Sequence, residues 1–327
     1  MADTRDYMVR AMAAGRELRA FAVTSRDLVE TARQAHGTTP VVTAALGRTL
    51  SGALMMSSML KDPDGLITVQ FKGDGPIGGI TATADAHGNV KGYPVQPLVA
   101  LPSRPDHHLD VGRAVGKGTL TVIRDIDRDH TYNGQIAIHS GEIADDLTYY
   151  FAESEQIPSS VGLGVKVEKD CTVGAAGGFI IQLMPQASEE TIARLEDNLR
   201  TCRYVTDILD EGRTPEELLQ EVLKGFSLEI TETLPVRFHC SCSRDRVARA
   251  LKLIGRKELQ ELIDEKKPQE LRCHFCGKRY TFSTAELEDL RDELDAERKA
   301  REEGAKAADA REAGSPAGPA GEEVPSK

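Results

Sequence analysis

The sequence predicts an α+β fold: an N-terminal α/β domain of antiparallel sheets and packed helices, a helical linker, a small C-terminal module built on four cysteines, and a disordered tail. Three observations carry this. Strand-like alternation, interrupted by a few helical stretches, fills the chain up to Pro185, and charged helical patterning follows it. Four of the six cysteines fall in two close pairs, Cys240 with Cys242 and Cys273 with Cys276. The last 24 residues, Gly304 to Lys327, hold 14 Gly, Ala and Pro and no aromatic residue. The expected divisions are 1–186 for the α/β domain, 187–235 for a metastable helical linker, 236–283 for the cysteine module and 284–327 for a charged helix and tail.

Element by element, Asp6 to Ser25 alternates as strands do, with a hairpin at Ala14 to Arg16. "SRDLVETARQAHG" opens on a capping residue and stops at Gly37, and "TPVVTAALGRTLSGALMMSSMLK" repeats apolar residues at helical spacing. Met55, Met56 and Met59 on that second helix fit core packing better than an adaptable binding stripe. "LITVQFK", "GGITATAD" and "GNVKGYPV" then form an antiparallel meander. Gly73, Gly75 and Gly78 match GxGxxG, but β-branched alternation resumes after them where a phosphate site needs a helix, so no nucleotide site is expected. His107 and His108, flanked by Pro and Asp, suit an exposed loop. Further strands are expected at Gly118 to Arg124 and Gly134 to His139, and a helix at Ala144 to Ser154. The strand pair "SVGLGVKVEKDCTVGAAGGFIIQLMP" would enclose Cys171 as an inert packed thiol.

After Pro185 come short helices dense in charge, with thin apolar faces that fold only against something else. Cys202 occupies a plain helix position there. Between the cysteine pairs two short helices are expected, with Val247, Leu251 and Ile254 on one face of the first. Leu287, Leu290 and Leu294 mark a narrow stripe on the charged helix that follows.

Composition narrows the function. The N-terminus has no apolar run for a signal peptide, and no stretch of about 18 apolar residues could span a membrane, which places the chain in the cytoplasm. In that reducing compartment close cysteine pairs are metal ligands or redox groups. The net charge of -11 argues against a polyanion binder overall, although Arg237 to Phe282 holds twelve Lys and Arg against six Asp and Glu. That local excess suits a nucleic-acid patch or, better, cations that partly neutralise a metal–thiolate centre.

In an extended segment Cys240 and Cys242 point the same way and reach one ion, and "CHFCG" forms a knuckle whose Gly277 permits the tight turn. Four thiolates with no open position describe a structural Zn2+ site, one per chain, held by Cys240, Cys242, Cys273 and Cys276. His239 and His274 adjoin the motif but are superfluous beside four sulfurs. A thioredoxin-like use of Cys273 and Cys276 conflicts with the strand that follows them. Oxidation would find each cysteine's nearest partner at hand, Cys240 with Cys242 and Cys273 with Cys276, and the ion would then leave. Because structural zinc is worth roughly 10 to 16 kcal/mol to such modules, its loss would unfold the segment and weaken the linker beside it.

With "CSCSRDR" and "CHFCG", the stretches "FKGDGPIGGITATAD", "YFAESEQIPSSVGLGV" and "GAAGGFIIQLMP" make residues 5 to about 283 resemble the redox-regulated heat-shock protein 33 family. The resemblance implies an ATP-independent holdase and not an enzyme, zinc-bound and inactive when reduced. Oxidation would form disulfides, expel zinc and unfold the C-terminal part. Newly exposed apolar surface would then bind unfolded client proteins, and the oxidised form would be a homodimer. It gives the four cysteines the ligand and switch roles and carries nothing to the residues after Thr284. A zinc module that binds nucleic acid and a thiol oxidoreductase are the readings from other classes.

Overall fold

The computed structural model describes residues 6–106, 108–125 and 131–313, with side chains as far as Arg301. His107 lies outside the described residues. In chain order the first elements are β1 (Tyr7–Ala13), β2 (Leu18–Thr24), α1 (Arg26–His36), α2 (Pro40–Ser57), β3 (Leu66–Gly73), β4 (Ile80–Asp85) and β5 (Asn89–Pro94). Then come α3 (Val111–Val115), β6 (Gly118–Asp125), β7 (Thr131–Ala137), α4 (Ala144–Glu153), β8 (Ser159–Val167) and β9 (Val173–Leu183). The segment after Pro185 forms α5 (Glu189–Thr201), α6 (Val205–Asp210), α7 (Pro215–Val222), β10 (Leu228–Pro235) and β11 (Arg237–Phe238). The C-terminal part forms α8 (Arg244–Ile254), α9 (Arg256–Asp264), β12 (Gln269–Arg272), β13 (Arg279–Phe282) and α10 (Thr284–Ala313).

The described residues gather into two compact units, the first within 6–240 with His274–Gly277, the second within 241–273 and 278–313. In the first, a five-stranded antiparallel sheet runs β10-β1-β2-β9-β8, and a six-stranded sheet runs β11-β5-β4-β3-β6-β7 with β11 parallel to β5. α2 contacts strands of both sheets and buries 16 of its 18 residues, which is why its sequence is apolar nearly all round. Met55 and Met56 are buried in the core there and Met59 packs against it, as their spacing predicts. Ser25 opens α1 but spends its hydroxyl on Ser51 Oγ at 2.7 Å. The cap comes instead from Asp6, whose Oδ2 accepts from Leu28 N at 2.7 Å. Gly37 ends α1 in the left-handed region at φ +64°, donating to Arg33 O.

Three expectations change in detail. Residues 228–235 are a strand, β10, where a helical linker was expected, because β-branched Ile230, Thr231 and Thr233 find a partner in β1. Cys171 sits in the turn between β8 and β9 at φ +68°, not within a strand, because Asp170 Oδ1 caps Thr172 N at 3.0 Å and bends the chain. Ile254 is exposed at the end of α8, so the buried face of that helix is Val247, Ala248 and Leu251. After Gly73, Gly75 and Gly78 the chain enters β4, as the absent helix signal predicts.

α5, α6 and α7 cover one face of the five-stranded sheet. Leu195, Ile208, Leu218, Leu219, Val222 and Leu223 bury themselves against Val9, Ala11, Ala20, Ala22, Ala175 and Phe179. In the second unit Leu251, Leu259, Ile263, Tyr280, Phe282 and Leu287 form a separate small core. α10 runs on to Ala313, so residues 304–313 of the expected disordered tail are helical backbone, and 314–327 lie outside the described residues. Among the described residues no helix is long and apolar enough to cross a membrane.

Candidate metal centre

Local structure places each cysteine pair by a different device. Ahead of Cys240 the chain is tied to β5: Arg237 N donates to Gly88 O at 2.9 Å and His239 N to Val90 O at 2.8 Å. Beyond Cys242, Ser243 accepts from Arg246 N at 3.2 Å and starts α8. The second pair occupies the tip of the β12–β13 hairpin. There Cys273 N donates to Lys278 O at 2.9 Å, and Gly277 takes φ +72°, a conformation that glycine enters without a Cβ clash.

The outcome is that one sulfur from each of Cys240, Cys242, Cys273 and Cys276 lies within 4.8 Å of every other, all four residues half-buried. A tetrahedral ion with Zn–S bonds of about 2.3 Å needs sulfurs about 3.8 Å apart, so the group fits zinc. Neither His239 nor His274 belongs to the group. Tyr280 OH donates to Cys242 Sγ at 3.1 Å, a hydrogen bond of the kind that orients a ligand and spreads its negative charge. Cys242 and Cys273 also pack against the apolar core of their unit. Cys171 and Cys202 stand outside the group. Cys202 caps the C-terminus of α5, and burial pushes its thiol pKa up, the opposite of what a reactive cysteine needs.

Two contributors are not evident from cysteine spacing. One is Tyr280, whose only sequence signal is its place on the strand after the second pair. The other is the knuckle tip, His274–Gly277, which groups with the first unit. Phe275 meets Tyr93 edge to face at 5.2 Å between ring centroids, and Lys91 Nζ lies 4.7 Å from the centre of its ring. His36 Nε2 faces both Gly92 O at 2.9 Å and Phe275 O at 3.1 Å, so that nitrogen carries the proton and donates.

The basic excess of Arg237 to Phe282 is met in part by carboxylates that lie outside that window. Arg244 pairs with Glu286, Lys252 with Glu293 and Glu297, and Arg256 with Asp295, all four acids on α10.

The family model described as Hsp33 protein matches residues 6–283. The 33 kDa chaperonin of Lachnoclostridium phytofermentans is 54% identical over 285 residues, covering 87% of this chain and 98% of its own. That of Bacillus subtilis is 48% identical over 289 residues, covering 88% and 99%. The crystal structure of the 33 kDa chaperonin of Thermotoga maritima superposes with a TM-score of 0.81 at 32% identity, covering 88% of this chain and 97% of that one. The chain therefore belongs to the Hsp33 family, a family of chaperones.

Proposed function

We propose that this chain is a redox-regulated, ATP-independent holdase for unfolding proteins in the cytoplasm, inactive while reduced and zinc-bound. The observation that carries the reading is the α5–α7 layer over the five-stranded sheet. Five of the nine buried sheet residues under it are alanines, so the sheet contributes less apolar area to the contact than larger side chains would, and the layer is held less firmly than the main core. Lifting it would uncover the apolar face that the sheet and the layer now share, the kind of surface that capture of an unfolded client requires.

Cys240, Cys242, Cys273 and Cys276 are the zinc ligands and the sensor in this reading. When bound, one zinc ion would offset half the charge of the four thiolates, leaving a net -2 that nearby cations reduce, and would close a module whose core is five buried residues of its own and Leu287 of α10. Peroxide takes two electrons from each cysteine pair. Two S–S bonds form, Cys240 with Cys242 and Cys273 with Cys276, while two peroxides and four protons become four waters. Disulfide sulfurs carry no charge and no longer hold a cation. The cysteine module, 236–283, then opens, and the linker, 187–235, follows, leaving 1–186 to hold clients and to pair as a homodimer.

The test is zinc content and suppression of light scattering by a heat-denatured client, each before and after peroxide. Zinc loss and gain of protection should coincide. A Cys273→Ser variant should bind zinc poorly when reduced; full zinc occupancy in that variant removes the four-sulfur assignment. Protection that is the same in the reduced and oxidised protein removes the switch.

A further inference from the structure

We propose that α10 is a brace on the cysteine module, a segment that slows its opening and so raises the oxidant exposure needed to release it. The proposal rests on the zinc-switch reading above and assigns a role to a helix that begins where the family match ends, at residue 283.

Three features of the second unit support it. The start of α10 is fixed by a reciprocal cap. Ser283 Oγ accepts from Glu286 N at 3.3 Å, and Glu286 Oε2 accepts from Ser283 N at 2.8 Å. Next, an apolar stripe completes the module core: Leu287 is fully buried, and Leu290 and Leu294 pack beside it against the cluster that holds Leu251, Leu259 and Ile263. A six-residue core that draws one member from α10 loses a large share of its buried area when the helix is removed.

Charge supplies the third feature. Arg244, two residues past Cys242, donates to Glu286 Oε1 at 2.5 Å and to Thr281 O at 2.8 Å, joining the start of α8, the end of β13 and the start of α10. Its guanidinium also lies 4.3 Å from the Phe282 ring centre. Lys252 and Arg256 continue the row with Glu293, Glu297 and Asp295. Exposed pairs of this kind contribute little individually. Their row sets the register in which the leucines meet the module, and it occupies cations that would otherwise repel one another once the thiolate charge is lost to oxidation. Because cooperative units open in order of how little they bury, a module that shares its core with α10 opens less often than one without it.

The experiment compares three proteins: the full chain, a chain ending after Ser283, and a full-length Leu287→Ala, Leu290→Ala variant. In the reduced, zinc-loaded state amide exchange across 244–264 should be ~10-fold faster or more in both altered proteins. After a fixed dose of peroxide, zinc appearing on a chromophoric chelator should do so faster in the same order. A truncated chain that loses zinc while still reduced is the extreme form of the same result. Equal protection of 244–264 in all three proteins overturns the brace. If the full chain keeps its zinc under peroxide, the switch reading fails, and the exchange comparison still decides whether α10 braces the module.

Discussion

Asp6 shows how a single residue carries both structure and pH dependence. Its carboxyl is buried and accepts from Leu28 N, so burial pushes its pKa up to about 7 against the opposing pull of that hydrogen bond. The folded pKa lies above the unfolded one. Its contribution to stability is therefore fully present below about pH 4 and is lost as pH rises through about 7. Asp6→Asn keeps an oxygen acceptor for the cap and removes the ionisation. The variant should be more stable than the parent by about 1–3 kcal/mol at pH 8 and gain nothing at pH 4, as thermal melts at the two pH values would report. A loss at pH 8 would mean that the ionised carboxylate itself serves the cap. Tyr280 makes a comparable case at the candidate metal centre, where its hydroxyl donates to Cys242 Sγ. Tyr280→Phe preserves the ring in the module core and should weaken zinc binding about 10-fold in a competition titration. Unchanged affinity would show that this hydrogen bond does not support the ligand.

Among the elements, the α5–α7 layer is where, under the proposed function, stability and activity would be opposed. Leu218 and Leu219 are fully buried, and Tyr7 OH donates to Glu216 Oε2 at 2.7 Å, pinning α7 to β1. Burial and Glu216 together push the Tyr7 hydroxyl up to about 12, so this bond persists across ordinary pH. Leu219→Ala should cost about 2–5 kcal/mol in the layer. Under the proposed function it should also give partial client protection without any oxidant, seen as reduced light scattering by the untreated variant. Destabilisation with no protection would mean that this layer does not cover the client surface. The same region shows what the sequence makes legible. α2, α5 and α7 are readable because their apolar periodicity or caps are local: Ser188 starts α5, and Thr214 with Glu217 boxes α7. β10 is not, because nearly all its residues are exposed and no buried face marks it as a strand; pairing with β1 alone makes it one. Likewise the cysteine pairs stand out by spacing, while Tyr280 and Phe275 take their roles from partners distant in the chain.

For the whole molecule, the gradient of buried apolar surface predicts an order of opening. The N-terminal domain holds a core that includes Phe21, Leu46, Leu50, Leu54, Phe71 and Tyr150, all fully buried. The α5–α7 layer closes one alanine-rich sheet face, and the module around α8 and α9 has six buried apolar residues and four sulfurs that would hold an ion. Under the proposed function, loss of that ion would remove a large part of the module's stability, so the module should lose amide protection first after peroxide treatment, at 241–273. The layer from about Ala187 to Phe226 should follow, since its contacts are the next weakest. Strands β3 and β4 should keep their protection throughout, because they belong to the main core. Hydrogen exchange followed over time after peroxide resolves all three regions in one experiment. Early loss across Leu66 to Ala84 would reverse the order. So would a layer that stays protected after client binding is complete, since the apolar sheet face beneath it would then never have been exposed.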